Sequence, residues 1–91
     1  MSEFEFEFDQ NKSGINKLKH GIDFIEVQQI FDGDNIFIQQ AKTMDNEERF
    51  ALIGLFESKC YAVIFTLRGN KIRIISARRC RKKEKQRISD D

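Results

Sequence analysis

Residues 3–8 read E-F-E-F-E-F, a strict alternation that sends Phe4, Phe6 and Phe8 to one face of a strand and Glu3, Glu5 and Glu7 to the other. The run ends at Asp9. A short helix follows, capped by Asn11 or Ser13 and running to about Lys19, with Ile15 and Leu18 as its expected apolar contacts; His20-Gly21 stops it. Asp23-Phe-Ile-Glu26 has the form of a capping box, and Phe24, Val27, Ile30 and Phe31 recur behind it at helical spacing, predicting a second helix with a core face. The turn cluster Asp32–Asn35 leads to a short strand over 36–39, and residues 41–46 form a polar connection. Three longer strands are predicted over 48–56, 61–68 and 71–78, the first two joined tightly through Glu57-Ser58-Lys59 and the last two through Gly69-Asn70, a two-residue hairpin signal. From Arg79 the composition favours a basic C-terminal helix.

The predicted order is β-α-α-β-β-β-β-α over a single domain spanning residues 1–91. Strands joined by short connections imply an α+β fold, an antiparallel sheet with helices packed on one side. The core is modest, since a chain this short buries roughly 60–65% of its unfolded surface.

Charge changes the picture. The net value is only +1, but residues 3–9 carry four acids and no cation, whereas residues 68–87 carry ten cations against one acid, Glu84. A polyanion partner is the natural match for the basic end. The two cysteines, Cys60 and Cys80, lack C-x-x-C spacing, and with a single histidine they make no metal site, so neither metal nor cofactor is expected. A disulfide between them is possible, yet the acidic, alternating start is no signal peptide and no apolar run approaches the ~18 residues of a membrane span. The expectation is a reduced, cytoplasmic protein with no membrane partner.

The candidate chemistry centres on the hairpin V-I-F-T-L-R-G-N-K-I-R-I-I-S-A-R-R, residues 63–79. With Gly69 and Asn70 as the loop, Leu67 opposes Ile72 and Thr66 opposes Arg73. Thr66, Arg68, Lys71 and Arg73 then share one face, while Ser76 and Arg78 fall on the other; a bulge would flip part of this assignment. Arginines fixed on strands suit successive phosphates of a nucleic-acid backbone. The competing explanation pairs them with Glu3, Glu5, Glu7, Glu47 and Glu48. His20, at a helix end, is either a capping imidazole or a general acid or base. Glu48-Arg49 is either a cross-strand ion pair or a catalytic carboxylate beside a phosphate-binding arginine, and Glu84 either an ion-pair partner or a base. Ser76 has no histidine-and-acid context and is no hydrolase nucleophile.

Several of these segments occur together, in order, in one known family. Phe8-Asp9, Lys12, Asn16, K-H-G-I-x-F over 19–24, E-R-F over 48–50, Gly54, T-x-R over 66–68, R-I-I-S-A-R over 73–78 and Glu84 resemble the BrnT toxins of bacterial type II toxin–antitoxin modules. The chain has Phe8 where that family commonly has Trp and Cys80 where it usually has Ala, and residues 40–46 match only loosely. The resemblance implies a RelE-like fold and a metal-independent ribonuclease that inhibits translation; the working expectation for the cleavage itself is attack of a ribose 2′-hydroxyl on the adjacent phosphate. It also implies a BrnA-type antitoxin of ribbon-helix-helix type, in a heterotetramer that touches DNA only through the antitoxin. On this basis His20, Glu48, Arg68, Arg73 and Arg78 are candidate catalytic residues. Lys12, Lys19, Arg49, Thr66, Ser76, Arg79 and Glu84 are candidate RNA-binding residues. The alternative is a non-catalytic module that holds RNA or a partner on the same basic surface.

Overall fold

In the computed structural model, which describes residues 5–88, the strands pair into one five-stranded sheet of order β1-β5-β4-β3-β2. The elements are β1 (Glu5–Glu7), α1 (Gln10–His20), α2 (Phe24–Phe31), β2 (Phe37–Gln40), β3 (Phe50–Phe56), β4 (Lys59–Arg68), β5 (Lys71–Arg79) and α3 (Lys82–Gln86). Glu3 and Phe4, expected in the first strand, lie outside the described residues. The predicted α+β order is therefore present. Strands β2 to β5 form an antiparallel meander, and the tight β3–β4 and β4–β5 turns leave those strands no other choice. Glu57 and Ser58, both at positive φ, close the β3–β4 turn, and Gly69, at φ 62°, opens the β4–β5 turn.

Two expectations about the sheet are corrected. β1 pairs with β5 in parallel, with Glu5 opposite Lys71, Phe6 opposite Ile72 and Glu7 opposite Arg73. No hairpin links these strands, so direction is free, and this pairing places Phe6 in the core while setting acids against cations. The helices also do not share one face. α1 and α2 cover one side, over a core that includes Ile22, Phe24, Val27, Ile30, Leu52, Val63, Phe65, Ile72 and Ile74. The segment bearing α3 folds over the opposite side, where Ile88 packs with Ile53, Cys60 and Ala62. Asn35 Nδ2 donates to the Ile88 carbonyl at 2.8 Å, and Cys60 and Cys80 are joined by a disulfide, so the expected reduced pair is not what the structure holds.

Phenylalanines knit the helix side: Phe6 meets Phe31 edge-on with ring centres 5.1 Å apart, and Phe31 meets Phe65 at 5.3 Å. α2 follows its expected form. Asp23 accepts from Ile25 and Glu26 amides, and Glu26 accepts from the Asp23 amide, completing the capping box. It sits close on β3, because Gly54 leaves room for Ile30; a Cβ there would meet Ile30 Cγ2 at 2.5 Å.

α1 reverses its expected polarity. Ser13 and Asn16 are buried, whereas Ile15 and Leu18, expected in the core, are exposed. The cause is the edge of β5. β1 pairs no further than Arg73, so the β5 backbone beyond it needs partners, and α1 lies alongside to supply them. Asn16 Nδ2 donates to the carbonyls of Ala77 and Ile22, both at 2.9 Å, and Asn16 Oδ1 accepts from the Ala77 amide at 3.2 Å. Ser13 Oγ accepts from the Phe24 amide at 2.9 Å, tying α1 to α2. Satisfying buried backbone groups outweighs burying two aliphatic side chains.

Replacing Asn16 by Ala strands the Ala77 amide and carbonyl in the interior, so Asn16→Ala is expected to lower the unfolding free energy by about 3 kcal/mol. Urea denaturation of the two proteins measures it, and a loss below about 0.5 kcal/mol would show that the amide is not what holds α1 to β5.

Candidate active site

Strand β5 carries one residue more than β4 between equivalent pairs. Phe65 opposes Ile74 but Ile64 opposes Ser76, leaving Ile75 as a bulge. Directly paired residues share a face, so Thr66, Arg73, Ser76 and Arg78 all lie on the side away from α1 and α2. The expected split, with Ser76 and Arg78 facing away from Thr66 and Arg73, is thereby corrected. Without the extra residue, Ala77 would leave the core and Arg78 would enter it.

At the hairpin end of this side, a cleft of about 170 Å³ is lined by Asp9, Lys12, Glu47, Arg49, Arg68 and Arg73, with Ile74 and the bulged Ile75 in its wall. Three parts of the chain converge on it. The start of α1 brings Asp9 and Lys12; Asp9 caps the helix by accepting from the Lys12 amide at 3.1 Å. The hairpin brings Arg68 and Arg73. The segment just before β3 brings Glu47 and Arg49, which fall opposite Arg68 and Thr66 if the β3–β4 register is extended. Thr66, only 1% exposed, fixes that segment by donating its hydroxyl to the Glu48 carbonyl at 2.6 Å. Its role is therefore to hold Arg49 and Glu47 in place.

Among the described residues, two of the four cleft cations have carboxylate partners. Arg68 Nε donates to Glu47 Oε2 at 3.2 Å, and Arg73 to Glu7 Oε2 at 3.1 Å. The ion-pair explanation thus holds for both. These pairs are partly solvated, with side chains about a third to a half exposed, so each is worth at most about 1 kcal/mol and an arriving phosphate can displace the carboxylate. Arg49 differs. Among the described residues its buried Nε has no hydrogen-bond partner, and a terminal nitrogen makes only a weak contact to Met44 Sδ at 3.4 Å. A buried guanidinium donor left unpaired costs about 1–3 kcal/mol, and the residue that bears it lines the cleft.

The remaining sequence candidates lie elsewhere. Glu48 turns outward to accept from Gln40 Nε2 at 2.7 Å; the acid that reaches the cleft is its neighbour Glu47. His20 is the last residue of α1, exposed, and roughly 12 Å along the axis from Lys12 at the helical rise per residue. Lys19 is exposed beside it. Arg79 lies with its guanidinium 5.7 Å from the Tyr61 ring centre. Arg78 makes two parallel bonds to Glu84, both at 2.8 Å, and Glu84 also accepts from the Arg81 amide. Ser76 is half-buried between this pair and the cleft. The larger apolar groove, about 290 Å³, lies on the helix side between Phe31, Ile38, Phe50 and Leu67 and presents no charged group. Among the described residues, no group of three or more His, Cys, Asp and Glu could hold a metal, and no helix is long and apolar enough to cross a membrane.

The family model of the ribonuclease toxin BrnT of type II toxin–antitoxin systems matches residues 8–84. The chain belongs to the BrnT family. No curated protein matches it. The matched span covers the whole cation cleft and ends at Glu84, the partner of Arg78. As a member of this family it is a ribonuclease toxin, and membership implies an antitoxin partner. In this BrnT chain, Asp9 is a cleft residue that sequence reasoning passed over, and Glu47 was read only as an ion-pair partner. The signal for Glu47 was available, because it stands two residues before Arg49 on an extended segment and so points the same way.

The hydrogen bonds from Arg78 hold the Glu84 carboxyl below its usual value of 4.5, and the same pairing raises Arg78. A depressed carboxyl stabilises the fold above its unfolded value and stops doing so as pH falls through the folded one. Glu84→Gln should therefore lower the melting temperature at neutral pH, with the gap to the parent closing as pH drops below about 4.5. Melting curves across that range test this, and a gap that stays constant into strong acid would remove the ion pair as its cause.

Proposed function

We propose that this BrnT-family toxin cuts RNA at the cation cleft without a metal, by attack of a ribose 2′-hydroxyl on the adjacent phosphate, and so inhibits translation. The observation that carries the reading is the buried, unpartnered Nε of Arg49 within a ring completed by Lys12, Arg68 and Arg73. The scissile phosphate would sit among these four groups, whose fixed positive charge offsets the charge that builds on the phosphorane oxygens. Glu47 is the cleft carboxylate able to take the 2′-hydroxyl proton once the phosphate has drawn Arg68 away, and Lys12 is the mobile cation that would protonate the departing 5′-oxygen. The products are a 2′,3′-cyclic phosphate and a 5′-hydroxyl end. His20, Arg78 and Arg79 would serve RNA beyond the cleft. Neutralisation would come from a BrnA-type antitoxin in a heterotetramer, and the cytoplasm is the compartment where that substrate and partner meet the toxin.

Arg49→Ala and Arg73→Ala should each reduce single-turnover cleavage by roughly 10²–10³. A chelator should leave the parent rate unchanged, and the ends should carry cyclic phosphate. Parent-like cleavage by both variants would displace the cleft as the site, while RNA binding without any cleavage by the parent would favour the binding-module alternative.

A further inference from the structure

Among the described residues nothing covers the outward face of α1, and its chemistry is specific. Leu18 is 89% exposed and Ile15 51% exposed, while the polar Ser13 and Asn16 hold the helix to the sheet. At 100° per residue, Asn11, Gly14, Ile15 and Leu18 form one stripe at i, i+3, i+4 and i+7, directly opposite Asn16. A stripe of this form on a helix that already has its inner contacts is the pattern of a docking surface.

Gly14 supports this. It lies inside the helix, where Gly costs about 1 kcal/mol relative to Ala, yet a Cβ at this position would meet nothing within 4 Å. Among the described residues nothing crowds this position, which leaves room for a second backbone to approach between Asn11 and Leu18. Charge defines the visitor. α1 carries Lys12, Lys17 and Lys19 and no acid. Lys12 and Lys19, seven residues apart, border the stripe on the side toward the cleft, and Lys12 itself lines the cleft. Lys17, on the other border, is held by Glu26 at 2.8 Å. A basic-edged apolar stripe is complementary to an amphipathic segment with apolar anchors and acidic flanks.

We propose that the antitoxin seats such a segment on the Asn11–Gly14–Ile15–Leu18 face of α1, and that its acidic flank reaches over Lys12 to close the cleft mouth. The inference rests on the toxin–antitoxin reading of the chain. Docking and inhibition are then one event: the apolar stripe supplies affinity, and the acid over Lys12 excludes the RNA phosphate.

The experiment uses the full-length toxin and its cognate antitoxin, co-expressed, separated and recombined. The double variant Ile15→Asp, Leu18→Asp alters only exposed side chains. It is expected to weaken antitoxin binding at least roughly 30-fold, to cleave RNA at the parent rate, and to escape inhibition at antitoxin concentrations that silence the parent. Gly14→Leu should act in the same direction. Binding by both variants within about threefold of the parent would overturn the proposal. So would loss of binding in an Ile38→Asp, Leu67→Asp variant of the apolar groove with the α1 variants unaffected, and so would failure of the parent to bind the antitoxin. A melting temperature and cleavage rate near the parent's certify that the α1 variants are folded. If the complex forms and depends on α1 but the parent never cuts RNA, the nuclease reading fails and the docking face stands.

Discussion

The site depends on one unpaired residue. Ile75, inserted into β5 opposite an uninterrupted β4, shifts every later side chain of that strand to the other face. Before the bulge, Ile72 and Ile74 point into the helix-side core and Arg73 points away; after it, Ala77 points in and Ser76 and Arg78 point away. The chain thereby keeps a continuous apolar face under α1 and α2 while gathering its strand cations on the opposite face. A regular ladder would have buried Arg78 against the helices, at the cost of desolvating a charge that has its carboxylate partner on the other side.

The bulge also sets the boundary of the cleft. β1 pairs with β5 only as far as Arg73, and α1 takes over the strand's edge through Asn16. The start of α1 therefore sits beside Ile74 and Ile75, which is where Lys12 and Asp9 enter the cleft. Thr66 performs the matching task on the other side, fixing the segment before β3 through the Glu48 carbonyl so that Arg49 and Glu47 face inward. The same arrangement that satisfies the β5 edge leaves α1 with an apolar outer stripe. One short helix thus packs on the β5 edge, brings Lys12 to the cleft and keeps Ile15 and Leu18 exposed.

Much of this was legible in the sequence for local reasons. The capping box of α2, the Gly69-Asn70 turn and the Thr66–Arg73 pairing are set by neighbours within a few residues, and each is present as expected. What escaped has a long-range cause. The bulge is hidden in Ile74-Ile75, two β-branched residues that look like regular strand, and only the opposing strand reveals which of them is extra. Ile15 and Leu18 read as core because periodicity cannot tell that Asn16 will be needed by the backbone of a strand 61 residues away. The parallel placement of β1 follows from no turn at all. Glu48 drew attention as part of E-R-F, but alternation through Arg49 selects Glu47. The family resemblance carried the class of protein correctly while leaving the arrangement of its charged residues to be found in three dimensions.

The central claim is that phosphate is held by Arg49, Arg68 and Arg73 beside the bulge, not by the cations at the other end of the sheet. Arginine side-chain NMR during titration with a short RNA whose cleavage-site 2′-hydroxyl is methylated tests it most directly. The account predicts that the Nε signals of Arg49, Arg68 and Arg73 move first and furthest, with the Arg49 proton gaining protection from exchange. A response led by Arg78, Arg79 and His20, with Arg49 unmoved at saturation, would contradict it.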